Sequence, residues 1–507
     1  MITINGENLS IDDVLSVSRN NETVEIDLSC FPKIQQSREI VEELLSSHHY
    51  IYGINTGFGE LSNTHIDHSD VDRLQQNLIR SHACGVGKAL STDIVRAIML
   101  LRINSLIKGY SGIRLEAIKL LLDMLNSKIH PIVPEKGSLG ASGDLIPLAH
   151  LGLAMIGEGE VELDGRILSA SVALEEKNLS SLQLKAKEGL ALINGTPYMA
   201  ALACLGLHDA KQLLKNAQIS GAMALEALKG TDQAFRSELH EIRPHQGQKN
   251  IADNLWRLTQ QSPIIQSHKD CDKVQDAYTL RCMPQVLGAS HDVLSNFEKM
   301  LQIEINSVTD NPIILPQSRE AISGGNFHGQ PLAYHLDFLA IAVSEIGNLL
   351  ERQIARLVDT KESGLPPFLT NHSGLNSGYM IPQYAAAALL TENKILSHPA
   401  STDSIPTSAN KEDHVSMGAT AGLKAHSIIN NTKTIIAIHY LLTSQALDFH
   451  RPLQSAPGLQ AVYDHIRKDV ATLKEDRYIH HDLIHIEHSI TNDEFIALIE
   501  QHIGELH

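Results

Sequence analysis

Ala141, Ser142 and Gly143 are the residues of this chain whose types and order could make a reactive group that no ordinary side chain supplies. They lie in the run Gly137-Ser138-Leu139-Gly140-Ala141-Ser142-Gly143-Asp144, between Pro134 and Pro147. The amide nitrogen of Gly143 can fold back onto the carbonyl carbon of Ala141 because glycine's wide φ/ψ range permits the turn. Closing that ring with loss of one water, and losing a second from the serine hydroxyl, leaves a methylidene-imidazolone, a carbon electrophile. An Ala-Ser-Gly triplet also occurs in ordinary loops, and that reading stands beside the chemical one. A serine-hydrolase elbow fails, because it needs Gly-x-Ser-x-Gly and position 144 is aspartate.

Other polar residues stand in patterns that allow chemistry or plain structure. Tyr52 opens a glycine-rich loop, Tyr52-Gly53-Ile54-Asn55-Thr56-Gly57-Phe58-Gly59, of the kind that often carries function; as structure alone it is a surface tyrosine. His82 ends a helix at Ser81-His82-Ala83-Cys84-Gly85, where a helix-end cap is the plain reading. The following Gly87-Lys88 is no phosphate loop, since that motif needs glycine at position 82. Asn194 precedes Gly195-Thr196-Pro197, a turn asparagine before a helix with Thr196 at N-cap and Pro197 at N1. In a helical turn Gln275, Tyr278 and Arg281 would share one face. There Arg281 could hold a carboxylate through paired hydrogen bonds, or serve as a salt-bridge partner. Phe327 lies in a second glycine-rich loop, Gly324-Gly325-Asn326-Phe327-His328-Gly329, and Glu412 in a polar run where a solvated carboxylate is the plain reading. His481, His485 and His488 have a spacing that could bind zinc, but with 27 histidines in the chain chance spacing is the better account and no metal is assigned.

Taken together, Gly140-Ala141-Ser142-Gly143-Asp144-Leu145, the Tyr52 loop, Ile193-Asn194-Gly195-Thr196, the Gln275–Arg281 run and the Ser404–Met417 segment resemble the aromatic amino acid ammonia-lyases over most of the chain. Ser81-His82, Glu412 and Pro147-Leu148-Ala149-His150 are most similar to members that act on histidine; Ala277 and Lys411 depart from the usual pattern. The resemblance implies a 4-methylidene-imidazole-5-one formed from Ala141-Ser142-Gly143, with no external cofactor. It implies Tyr52 as base, Glu412 as a further catalytic residue, and His82, Asn194, Gln275, Tyr278, Arg281 and Phe327 as substrate contacts. The implied reaction is deamination of L-histidine to trans-urocanate and ammonia, the first step of histidine degradation. Tyrosine or phenylalanine lyases and aminomutases with the same ring are the alternative. A homotetramer with shared active sites is implied as well. Free tyrosine ionises near pH 10, so a base poised near neutrality needs its pKa lowered by about 3 units, for which electropositive helix ends are candidates.

The elements that must position these residues read as helices. Apolar residues recur in steps of four and three at Leu332, Leu336, Leu339, Val343, Ile346, Leu350, Ile354 and Leu357, the seam of a bundle helix running from Gln330 to about Asp359. At 1.5 Å per residue such a helix spans about 45 Å, a length that suits packing between subunits. Asp164-Gly165 marks a two-residue hairpin, and Ser10 an N-cap. The expected fold is mainly α, a long-helix bundle with a smaller N-terminal α/loop region that carries the active-site loops, as in the helical architecture of ammonia-lyases and fumarases. The expected regions are 1–200 with the Tyr52 and cofactor loops, 201–450 with the long helices, and 451–507 as a helical tail. A net charge of −18 excludes a basic nucleic-acid surface. Five cysteines without C-x-x-C spacing fit reduced thiols. The absence of a signal-like start and of a long apolar run points to a cytoplasmic enzyme without a membrane partner.

Overall fold

Ser10 caps the first helix, Ile11–Ser18, in a reciprocal box: its hydroxyl accepts from the Asp13 amide at 3.0 Å and the Asp13 carboxylate accepts from the Ser10 amide at 2.9 Å. The structure, a computed structural model, describes every residue except 47–50, 65 and 272. It is mainly helical, with a few short strands. Ile2–Ile4 pairs in parallel with Val24–Ile26, and Val86–Ala89 pairs antiparallel with Pro134–Lys136. Glu160–Leu163 and Arg166–Ser169 form the hairpin that Asp164-Gly165 announces, joined by His130–Pro131 as a third strand.

Residues cluster into two units, each assembled from three separated segments rather than from the consecutive regions 1–200, 201–450 and 451–507. One unit comprises Met1–Leu205, Glu298–Asp337 and Pro399–Leu423; the other comprises Gly206–Phe297, Phe338–His398 and Lys424–His507. Four of the five breaks fall inside long helices, Pro197–Ala227, Met283–Glu304, Gln330–Val358 and Gly418–Asp448, and the fifth lies after the Met380–Leu396 helix. All eight seam residues from Leu332 to Leu357 are buried. Burial of each stabilises the fold by roughly 1.5 to 3 kcal/mol before the loss of chain entropy is counted.

In the first unit an apolar cluster of Ile40, Val41, Ile54, Val71, Ala186 and Ile314 underlies the Tyr52 loop. Ile54 anchors that loop from within, and the Asn55 side chain accepts from the Ile51 amide at 2.8 Å. In the second unit, Gln445 donates to the carbonyls of Leu369 and Leu473, tying two loops to the Gly418–Asp448 helix. Gln275, Tyr278 and Arg281 do not share a helical face. Ala277 is extended (ψ 158°) and caps a four-residue helix, Tyr278–Arg281, so Gln275 lies outside it. Among the described residues no helix is long and apolar enough to cross a membrane, and no three His, Cys, Asp or Glu side chains group as metal ligands.

Candidate active site

The Gly137–Asp144 loop is held from several sides in the first unit. The Met417 amide donates to the Leu139 carbonyl at 2.8 Å, and the Ser416 hydroxyl donates to the Gly140 carbonyl at 3.1 Å. Gly143 has φ +68°, and a Cβ there would stand 2.0 Å from the Gly195 carbonyl oxygen, so only glycine fits. The Asp144 amide closes this contact by donating to the same oxygen at 2.7 Å.

Asp144 is fully buried and starts the Leu145–Met155 helix. Its carboxylate accepts from the Ser138 hydroxyl at 3.0 Å and from the Met199 amide, in the first turn of the Pro197–Ala227 helix, at 2.9 Å. Burial pushes its pKa up to about 7 against the pull of these donors. Two helix N-termini, at Leu145 and Pro197, thus meet at the tripeptide, where the positive ends of their dipoles favour negative charge.

Asn194 is presented by the short helix Glu188–Ile193, whose Gly189 amide is tied to the Gln75 side chain at 2.9 Å. Asn194 Nδ2 donates to the Ser142 carbonyl at 3.0 Å, while its Oδ1 is buried and has no partner among the described residues. These residues fit the ring expected from Ala141-Ser142-Gly143. The Gly143–Gly195 contact keeps the turn tight, and Asn194 steadies the oxygen that would become the ring carbonyl.

A cavity of about 510 Å³ opens over Ser142, and Tyr52, His82, Asn194 and Glu412 share its wall. Ser142 Oγ lies 3.4 Å from Glu412 Oε1. The Glu412 run folds back on itself through Thr407, whose amide donates to the Glu412 carbonyl at 2.9 Å and whose hydroxyl donates to Oε2 at 3.2 Å. Phe58 meets Tyr52 edge to face at 6.3 Å.

Burial raises the Tyr52 pKa and Glu412 raises it further, with only the Gly59 backbone hydrogen bond acting the other way. The expected lowering by helix ends is therefore corrected for this cavity: the two N-termini face the tripeptide, and among the described residues no Lys or Arg lines the wall. Burial lowers the His82 pKa against the Leu78 carbonyl and Glu412, favouring the neutral ring. The Ser81 hydroxyl donates to the Leu78 carbonyl at 3.1 Å and lies 3.0 Å from His82 Nδ1. When the Ser81 proton is directed to Leu78, Nδ1 carries the hydrogen that meets Ser81 and His82 Nε2 is left as an acceptor.

Gln275, Tyr278 and Arg281 belong to the other unit and are not among the lining residues. Phe327, although in the first unit, does not line the cavity either; its neighbour His328 stacks on His414 at 5.7 Å, beside the Glu412 run. Several participants have no motif-level role in the sequence. Ser138 and Asp144 are visible only as polar residues at the ends of the glycine-rich run. Arg102 gives no signal at all. It is fully buried, donates Nη2 to the Ala191 carbonyl, and leaves Nε and Nη1 without partners among the described residues. Its Nη1 lies 2.6 Å from where a Cβ on Gly195 would stand, a cation directly behind the tripeptide's support. Burial pulls its pKa down to about 10, partly offset by Asp310.

With such a ring in place, the arrangement would present an electrophile to an amine while a phenol, a neutral imidazole and a carboxylate address the rest of a small molecule. The profile of the aromatic amino acid lyase family matches residues 9–468. Histidine ammonia-lyase from Alkaliphilus oremlandii is 49% identical over 99% of this chain and 98% of its own. That from Natranaerobius thermophilus is 48% identical over the full length of both. Among solved structures, histidine ammonia-lyase from Trypanosoma cruzi has a TM-score of 0.92 at 38% identity, covering 99% of this chain and 95% of that one. Tyrosine aminomutase from Streptomyces globisporus has a TM-score of 0.94 at 38% identity over the whole of both chains.

Proposed function

The chain belongs to the aromatic amino acid lyase family, and on that premise we propose that it removes ammonia from L-histidine without oxidation, releasing trans-urocanate. The observation that carries the reading is the convergence of Tyr52, His82, Asn194 and Glu412 on Ser142 in one cavity. A methylidene-imidazolone made from Ala141-Ser142-Gly143 would supply the carbon electrophile for the substrate amine.

The chain's own groups do the rest. Glu412, 3.4 Å from the serine oxygen, is within reach of an amine brought to that carbon and can take a proton from the ammonium to leave a nucleophilic lone pair. His82 Nε2, left as an acceptor by Ser81, suits an imidazole N–H, and Asn194 holds the Ser142 carbonyl. Tyr52 removes the β-proton once its phenol is ionised. A carboxylate substrate needs a cation, and among the described residues the cavity wall has no Lys or Arg. This supports a shared site in which Arg281, with Gln275, Tyr278 and Phe327, comes from another copy of the chain; the same cation would offset the upward pressure on Tyr52. Exposed apolar residues support such an assembly, a homotetramer: Tyr334, Phe338 and Ile341 on one helix, Ile381, Tyr384 and Ile395 on another. A cytoplasmic place at the start of histidine degradation completes the reading.

Incubating the protein with histidine, tyrosine and phenylalanine, and following the conjugated acid by absorbance, tests it. Phenylalanine brings an ammonium to Glu412 as histidine does but offers no N–H to the His82 acceptor, so histidine should be preferred by at least about a hundredfold in kcat/KM, roughly 2.7 kcal/mol. Equal or better turnover of tyrosine or phenylalanine, or a β-amino acid as the main product, overturns the substrate assignment.

A further inference from the structure

The Pro197–Ala227 helix ends in a left-handed turn at Lys229 (φ +48°), with the Gly230 amide returning to the Leu225 carbonyl at 2.7 Å. Its last carbonyls point out of the helix and need donors. Lys273 supplies them: its ammonium donates to Leu228 O at 3.3 Å and to Lys229 O at 3.1 Å, where the helix dipole also favours a cation. The same ammonium reaches Asp276 Oδ1 at 3.1 Å, and Asp276 Oδ2 accepts from the Thr231 amide at 2.7 Å. The Asp276 side chain is 1% exposed against 45% for Lys273, so the carboxylate is the buried half of a clasp closed from solvent by the lysine.

This clasp leads directly to Arg281. The Asp276 carbonyl accepts from Arg281 Nε at 3.0 Å, and the guanidinium lies over the Tyr278 ring at 4.6 Å. Nε is thereby spent and the plane of the fork is set. Among the described residues Nη1 and Nη2 have no partner, the two donors that a carboxylate would take side by side.

We propose that Lys273 and Asp276 are positioning residues that hold the Arg281 fork, anchored on the C-terminus of the Pro197–Ala227 helix, in the orientation that binds the substrate carboxylate. The inference rests on the reading of Arg281 as the carboxylate clamp. Neither residue touches the substrate. Their effect is confined to ligands that carry a carboxylate, because the clasp sets Arg281 and not the cavity over Ser142.

The test compares two competitive inhibitors of the full-length enzyme: urocanate, which has the carboxylate, and histamine, which has the imidazole and the amine without it. Lys273→Met should weaken urocanate about tenfold, since a misaligned fork loses one of its two hydrogen bonds, and should raise KM for histidine to match. Histamine affinity, kcat and the loss of two waters in the intact mass should stay at parental values. Asp276→Asn should follow the same pattern, and Lys273→Arg should restore urocanate binding. Unchanged urocanate affinity in Lys273→Met, or an equal loss for both inhibitors, overturns the clasp. Arg281→Lys separates this from the broader reading. If it weakens urocanate selectively while Lys273→Met does not, the clasp alone fails; if it leaves urocanate unchanged, the carboxylate reading fails and the clasp with it.

Discussion

Replacing Gly143 by alanine should leave the fold standing and stop the tripeptide from cyclising. The new Cβ would stand 2.0 Å from the Gly195 oxygen, 2.4 Å from its carbonyl carbon and 2.8 Å from its nitrogen, all backbone atoms that cannot rotate away. Relief to even 3.0 Å requires the two backbone segments to part by about 1 Å. At φ +68° the alanine adds about 1 to 2 kcal/mol of backbone strain. Parting the segments also gives up the 2.7 Å hydrogen bond from the Asp144 amide to Gly195, worth about 1 kcal/mol net and more if the amide is left buried and unpaired. Together roughly 3 kcal/mol disfavours the loop shape in which the residue-143 nitrogen faces the Ala141 carbonyl, a factor of about a hundred in the population able to close.

Intact mass spectrometry reads the outcome, with the parent two waters lighter than its sequence and the variant at or near full mass. Gly165→Ala is the control. Its φ of +76° carries the same strain, but nothing lies within 4 Å of the added carbon, so it should lose a little thermal stability and no dehydration. A Gly143→Ala chain that sheds both waters as fast as the parent would show that the close approach of Gly195 has no part in ring formation.

Two further outcomes follow from the same geometry. Glu412→Gln should lower histidine turnover sharply and move the limb of the kcat–pH profile that reports Tyr52 ionisation to lower pH. The sign follows because Glu412 raises the Tyr52 pKa and an amide does not; a limb that stays or moves to higher pH refutes the assignment of Tyr52 as the base. Co-expressing Tyr52→Phe with Arg281→Ala should restore part of the activity that each variant lacks, because mixed assemblies contain sites with neither lesion. No rescue would place both residues in the site of one chain.

Much of the fold was legible from local rules. The seam from Leu332 to Leu357, the Ser10 cap and the Asp164-Gly165 hairpin each depend on contacts within a few residues, so periodicity and capping chemistry suffice to read them. The Ala141-Ser142-Gly143 reading draws on the same kind of local rule, because the proposed ring closure would join atoms two residues apart. Sequence could not supply relations made across long spans of chain. Only tertiary structure sets the Glu412 carboxylate 3.4 Å from Ser142, 270 residues earlier, and backs Gly143 with Gly195 and Arg102. It also decides that Tyr52 is pushed up in pKa, since burial and a neighbouring carboxylate belong to the folded cavity and not to the loop. The helical face expected of Gln275, Tyr278 and Arg281 failed because spacing says which residues would align if a helix formed, but not where it starts. That start is fixed by the extended Ala277, next to an aspartate clasped to the end of another helix. Short-range propensity chooses the elements; the desolvation and charge that make a side chain reactive arise when distant segments close over it.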